Sequence, residues 1–149
     1  MKKIKTRLDK NGNNVEIWWA GNISFTPVVP LFLRVQAELI ENKLGLPVFV
    51  FKNTNSVVWA QDLDGKVLGG ICYEYQIPTR TGHIILNFTD PDHRGQGINA
   101  MCHPCFEEDV RRQGATSLAS VVNVLNESGI RASTKAGMMP ASYRMHKSL

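Results

Sequence analysis

One stretch constrains this chain more than any other: Asn87-Phe88-Thr89-Asp90-Pro91-Asp92-His93-Arg94-Gly95-Gln96-Gly97-Ile98-Asn99. Ile84, Ile85 and Leu86 lead into it as a buried-strand signal, so His83 to Thr89 is expected as a strand. A helix over about 97 to 113 should follow, closed by Gly114. Strand, glycine turn and helix in that order put the first N–H groups of a helix at the end of a sheet. Those groups have no partner inside the helix, and the aligned peptide dipoles add partial positive charge there. Gly95 and Gly97 carry no side chain to block a ligand and tolerate positive φ. Arg94 adds a planar fork of donors. The combination is an anion cradle suited to a pyrophosphate. Alone, Arg-Gly-Gln-Gly also suits an ordinary turn into a helix, and its flanking elements favour the cradle.

The rest of the sequence narrows the class. A chain of 149 residues is expected to form one domain, 1–149, with a real core. The net charge of +4 suits an anionic ligand, but the basic residues are scattered, which argues against nucleic acid. A membrane-spanning apolar run is missing, and Met1-Lys2-Lys3 leads into polar residues rather than a signal peptide. A cytoplasmic protein with no membrane partner is therefore expected. Three cysteines argue against a disulfide framework. Cys102-His103-Pro104-Cys105 has the spacing of a redox or metal pair, but no second pair completes a zinc site. Packed thiols are the expectation, with no metal bound.

Taken in order, residues 3 to 19 read as a hairpin turning at Asp9-Lys10-Asn11-Gly12. Adjacent Trp18 and Trp19 must face opposite ways, one into the core and one to a groove or edge. Thr26-Pro27 opens a helix with Leu31, Val35, Leu39 and Ile40 inward, ended by Gly45 and Pro47. Val48 to Phe51 and Ser56 to Gln61 suggest a second hairpin around Asn53-Thr54-Asn55. Val67 to Gln76 is a long strand whose Gly69-Gly70 predicts a bulge or a close backbone approach. Pro104 should kink its helix at a cost of roughly 3 kcal/mol. Ala115 to Val122 is a strand, and Glu127 to Ala136 a short helix capped by Asn126 and Gly137. A short strand or tail around Tyr143 ends the reading.

These residues resemble the GNAT superfamily of acyl-CoA-dependent N-acyltransferases. Its motif, Arg/Gln-x-x-Gly-x-Gly/Ala, is matched by Arg94 and Gly97, with Asn99 in the last place and Gly95 and Ile98 as usual extras. The segment from Asn126 to Met138 is similar to the family's Asn…Ala…Tyr-Glu-Lys-x-Gly-Phe, matching at Asn126, Lys135 and Gly137, with Met138 for Phe and Ser133 where Tyr is usual. The resemblance covers about 56 to 138. It implies an α/β (α+β) fold: a mixed, mostly antiparallel sheet flanked by helices, with a splayed strand pair holding the cofactor. It also implies acetyl-CoA as cofactor. The pyrophosphate would lie on the backbone of Arg94, Gly95, Gln96, Gly97, Ile98 and Asn99, and the pantetheine arm along Phe88, Thr89 and Asp90, with Asn126 opposite. The implied activity is N-acetyl transfer to a primary amine of a small molecule, peptide or protein, by direct attack in a ternary complex, with a strand N–H stabilising the oxyanion. Base candidates are His83, Glu74 and Asp90. Ser133 stands at the position of the thiolate's proton donor, where water or Tyr143 are the alternatives. Family members often pair through edge strands, so the resemblance allows a homodimer and leaves the oligomeric state open. Two other readings remain. Ser133 suggests a non-catalytic binding module. Net charge with Trp18, Trp19 and Trp59 suggests a nucleic-acid-modifying acyltransferase.

Overall fold

Among the described residues six strands form one sheet in the order β1-β2-β3-β4-β5-β6. They are β1 (Lys2–Leu8), β2 (Asn14–Ala20), β3 (Ser56–Gln61), β4 (Val67–Gln76), β5 (Thr81–Thr89) and β6 (Ser117–Ser120). Neighbours pair antiparallel from β1 to β5, and β5 pairs parallel with β6. The described residues also form three α-helices: α1 (Val29–Glu41), α2 (Ile98–Gln113) and α3 (Glu127–Lys135). The computed structural model describes residues 1–44, 52, 54–142, 145, 147 and 149. The expected run Val48 to Phe51, the helix stop at Gly45 and Pro47, Asn53 of the following turn, and Tyr143 lie outside the described residues.

Alternation along the central strands makes two cores, one on each face. Ile17, Val58, Ala60, Ile71, Tyr73 and Ile84 face α2. Ala20, Val57, Trp59, Cys72 and Phe88 face α1 and the 3-10 turn Ile23–Phe25 before it, which the sequence did not announce. The α1 stripe differs from expectation. Phe32 and Val35 are buried, whereas Ile40 is 41% exposed. Residues 32, 35 and 39 keep helical spacing, and one further step of 100° turns Ile40 to solvent. Trp18 and Trp19 do face opposite ways, but neither sits at a free edge, because β1 covers that flank of β2. Trp18 stacks on Trp59 at 6.1 Å, and Trp19 donates its ring N–H to the Tyr73 hydroxyl at 2.9 Å. With Trp59 fully buried, that ring is closed to base stacking.

The α2 stripe is Ile98, Cys102, Cys105, Phe106, Asp109 and Val110. The two cysteines are thus spaced to face the sheet, and all three thiols are free and buried. Burial pushes the Cys72 thiol up to about 12, with Glu74 adding to it, and raises that of Cys102 further. Asp109 is held by the Tyr73 O–H at 2.8 Å and by Gln113 at 2.9 Å. Burial and this carboxylate raise the Tyr73 phenol well above its ordinary range. Pro104 lies inside α2, yet the helix continues through it. Both Pro104 and Ala100, whose carbonyl loses its helical partner, are exposed, so that break in the ladder lies on the solvent side of the helix.

Gly69-Gly70 fulfils both readings of a glycine pair. Ala60 pairs with Gly69 and Gln61 with Val67, leaving Leu68 as a bulge. A β-carbon on Gly70 would meet the Val58 carbonyl oxygen at 2.5 Å, and one on Gly69 the Phe88 carbonyl oxygen at 2.6 Å. The strand β6 is shorter than the expected 115–122. After α3, Ala136 takes the C-cap and Gly137, at φ +86°, turns the chain out of the helix. β1 is an exposed sheet edge carrying Lys2, Lys3, Lys5 and Arg7.

Two outcomes follow from this packing. Gly70→Ala should lower stability in urea melts by about 2 kcal/mol or more, because the nearest atom it meets, the Val58 carbonyl oxygen, is backbone and cannot rotate away. The native protein should resist iodoacetamide at Cys72 and Cys102, with labelling on mass analysis only after unfolding, since the thiolate is the reactive form.

Candidate functional site

The parallel pairing of β5 with β6 runs from Thr81↔Ser117 to Ile84↔Ser120 and stops. β5 continues to Thr89. At the point of divergence Tyr73 pairs with Ile84 and Cys72 with Leu86, so Ile85 is a bulge. Beyond it, the side of β5 away from β4 has no strand partner among the described residues. The Asp90 N–H donates to the Leu68 carbonyl at 2.8 Å. Since backbone groups alternate sides along an antiparallel ladder, Phe88 also turns its N–H and C=O to β4, while Asn87 and Thr89 turn theirs to the open side. Asn87 is the residue that sequence reasoning missed here, because parity in the ladder depends on where the bulge falls.

The corner after β5 is built by Asp90. Its carboxylate accepts the Asp92 N–H at 3.2 Å and pairs with Lys66 at 3.0 Å, and its side chain is buried. It opens a 3-10 turn, Pro91–His93. Burial pushes the Asp90 carboxyl up, but Lys66 and the Asp92 N–H outweigh burial and hold it below its ordinary value. His93 Nδ1 stands 3.4 Å from the same carboxylate. Arg94 then runs extended, and Gly95 and Gly97 take φ of 77° and 76°. Gly97 is the N-cap of α2 and offers no side-chain cap. The first intrahelical bond is Met101 N–H to Gly97 C=O. The N–H groups of Ile98, Asn99 and Ala100 therefore have no partner within the helix.

The other expected residues fall as follows. The Phe88 ring is core, edge-on to Phe32 at 5.9 Å. The Ile98 side chain is buried under α2, and Thr89 and Gln96 are half-buried. Arg94 does not reach over the cradle: its guanidinium makes a two-pronged pair with Glu38 of α1, at 2.9 and 2.8 Å. That pair holds the Glu38 carboxyl below its usual range. Asn126 caps α3 through its side-chain oxygen, which accepts the Gly129 N–H at 3.0 Å and the Ser128 hydroxyl at 3.2 Å, and its amide hydrogens have no hydrogen bond among the described residues. Ser133 is half-buried on α3. His83 pairs across β5 with Glu74 and Ala119, two residues before the bulge. Its Nδ1 is buried, with no hydrogen-bond partner among the described residues. Glu74 accepts bonds from Asn55 and Gln76 at 3.3 and 3.1 Å. No hydrogen bond joins His83 to Ser133. A further residue enters that no motif marked: Lys10, from the β1–β2 turn, passes over Gly97, where a β-carbon would stand 3.4 Å from Lys10 Cε.

A nucleotide-bearing acyl carrier of the coenzyme A type fits these residues. Free N–H donors lie at the α2 N-terminus, an unpaired strand edge runs towards them, and Asn87 and Asn99 each keep a buried side-chain oxygen without a partner. Among the described residues no cluster of His, Cys, Asp or Glu is placed to hold a metal ion, and no helix is long and apolar enough to cross a membrane.

This architecture is that of N-acetyltransferases. An aminoglycoside acetyltransferase from an uncultured soil metagenomic sample superposes with a TM-score of 0.67 at 15% identity, over 91% of this chain and 96% of that one. A ribosomal-protein-alanine N-acetyltransferase from Brucella melitensis biovar Abortus 2308 gives 0.66 at 16% identity, over 91% and 98%. An acetyltransferase of Trypanosoma brucei gives 0.59 at 16%, over 91% and 99%. No curated protein matches the sequence significantly. The chain belongs to the acetyltransferase (GNAT) family, whose model matches residues 26–138. The β1–β2 hairpin lies outside that match.

The Asp90 corner makes a prediction. A carboxyl lowered on folding contributes stability above its unfolded pKa, near 3.9, and that contribution fades as pH falls through the lower folded value. Asp90→Asn should cost about 1 kcal/mol at neutral pH. The gap to wild type should close as the medium is acidified below about pH 4, measured by urea melts across pH.

Proposed function

We propose that this chain is an acyl-CoA-dependent N-acetyltransferase acting on a primary amine. The observation that carries the reading is the junction of an unpaired β5 edge with the uncapped N-terminus of α2. The pyrophosphate would rest on the N–H groups from Gly95 to Asn99. The amide groups of the arm would pair with the backbone of Asn87 and Thr89, as an added strand does, and the Asn126 amide would donate from the α3 side. When bound, the thioester supplies an activated carbonyl.

The chain's own groups then hold and move protons. His83 is the proposed base, because it sits beside the bulge where the strands part and its Nδ1 has no competing partner. Glu74, its cross-strand neighbour, would attract an ammonium acceptor to the same face. The backbone at the bulge supplies an N–H for the developing oxyanion. Ser133 is the proposed donor to the departing thiolate, directly or through water. Two structural neighbours are described by acceptors bearing amines, an aminoglycoside and a ribosomal-protein alanine, which supports an amine as the acceptor class here. Ser133 also supports a second reading, a binding module that keeps the cofactor and has lost turnover. Thiol release over a panel of amines separates the two.

Calorimetry with acetyl-CoA should show saturable binding, and no heat at millimolar cofactor would overturn both readings. Gly97→Glu should abolish the signal. It forces a side chain into a left-handed conformation at a cost of about 1–2 kcal/mol and puts a carboxylate where a phosphate would lie.

A further inference from the structure

The charges around the glycine corner are nearly all matched. Lys66 faces Asp90, His93 stands by the same carboxylate, and Arg94 is held by Glu38. Asp9, in the β1–β2 turn, is committed to the N–H groups of Asn11 and Asn13. One cation differs. The Lys10 ammonium has no ion pair or hydrogen bond among the described residues, and its side chain is exposed. Its stem nevertheless lies across the corner, with Cε 3.4 Å and Cγ 3.9 Å from where a Gly97 β-carbon would be. An ammonium at the positive end of a helix dipole is unfavourable on its own. It becomes favourable when an anion lies between the two.

Resting on the cofactor reading above, we infer that Lys10 is a second wall of the phosphate site: a cation brought by the hairpin onto the pyrophosphate held by the α2 N-terminus. The site then has two parts of different origin. Backbone donors come from the family's glycine corner. The mobile point charge comes from a hairpin outside the region that the family model matches. A lysine suits this role, because its flexible stem can swing aside for entry and fold back onto a phosphate oxygen.

The test is calorimetric binding of CoA and of 3′-dephospho-CoA, which share the pyrophosphate, to wild type, Lys10→Met and Lys10→Arg. Thermal melts of the unliganded proteins check that the turn is intact. Lys10→Met should weaken both ligands by about tenfold and make binding less sensitive to salt, and Lys10→Arg should recover most of the loss. Equal affinity of wild type and Lys10→Met for both ligands overturns the proposal. So does a loss confined to CoA, which would assign Lys10 to the 3′-phosphate instead. Failure of wild type to bind either ligand overturns the cofactor reading itself, and the Lys10 role with it.

Discussion

The absence of a side chain at Gly69 is the constraint on which the rest depends. Ile98, the first residue of α2, packs with its Cγ2 only 3.0 Å from where a Gly69 β-carbon would be. The helix can therefore begin directly over β4, within reach of the end of β5. Any larger residue would lift the first turn off the sheet and carry its free N–H groups away from the strand edge they serve. Next to it, the Asp90 N–H bond to Leu68 and the Lys66 ion pair fasten the corner from the other side. A bulge at Leu68 supplies the offset that brings these two attachments into line. The corner is thus held by one backbone hydrogen bond, one ion pair and a close approach that only a glycine allows.

What could be read in the chain beforehand was what is local. The Asn87 to Asn99 turn, the Asp9 hairpin, the Asn126 cap and Gly114 as a helix stop each depend on a few adjacent residues. The structure places them as the patterns suggest. Periodicity also located α1 and α2, though it put Ile40 on the wrong side and left out Phe32. Features set by pairing between distant segments were not legible. The bulge at Ile85 follows from register, and register decides which backbone groups face the slot. Arg94 carries its charge to Glu38, a residue 56 positions away, and no motif announces that partner. β6 stops at Ser120 because its neighbour turns aside, although Val121 and Val122 would suit a strand. Lys10 looked like any lysine in a turn.

The cysteines show how one pattern can serve two chemistries. Cys102 and Cys105 stand three apart, the spacing of a redox or metal pair, but three apart on a helix is also the spacing of one buried face. Burial decides between them. With both thiols packed against the sheet, and that of Cys102 held protonated by desolvation, the pair serves as small apolar filler beneath a proline that points to water.

The rim formed by β1 bears on how copies of the chain meet. Its outward backbone groups have no strand partner among the described residues, the usual invitation for another strand to join. Yet Lys2, Lys3, Lys5 and Arg7 line it, and an antiparallel partner of the same sequence would bring these ammonium and guanidinium groups face to face. Self-association along this rim is opposed by its own charge.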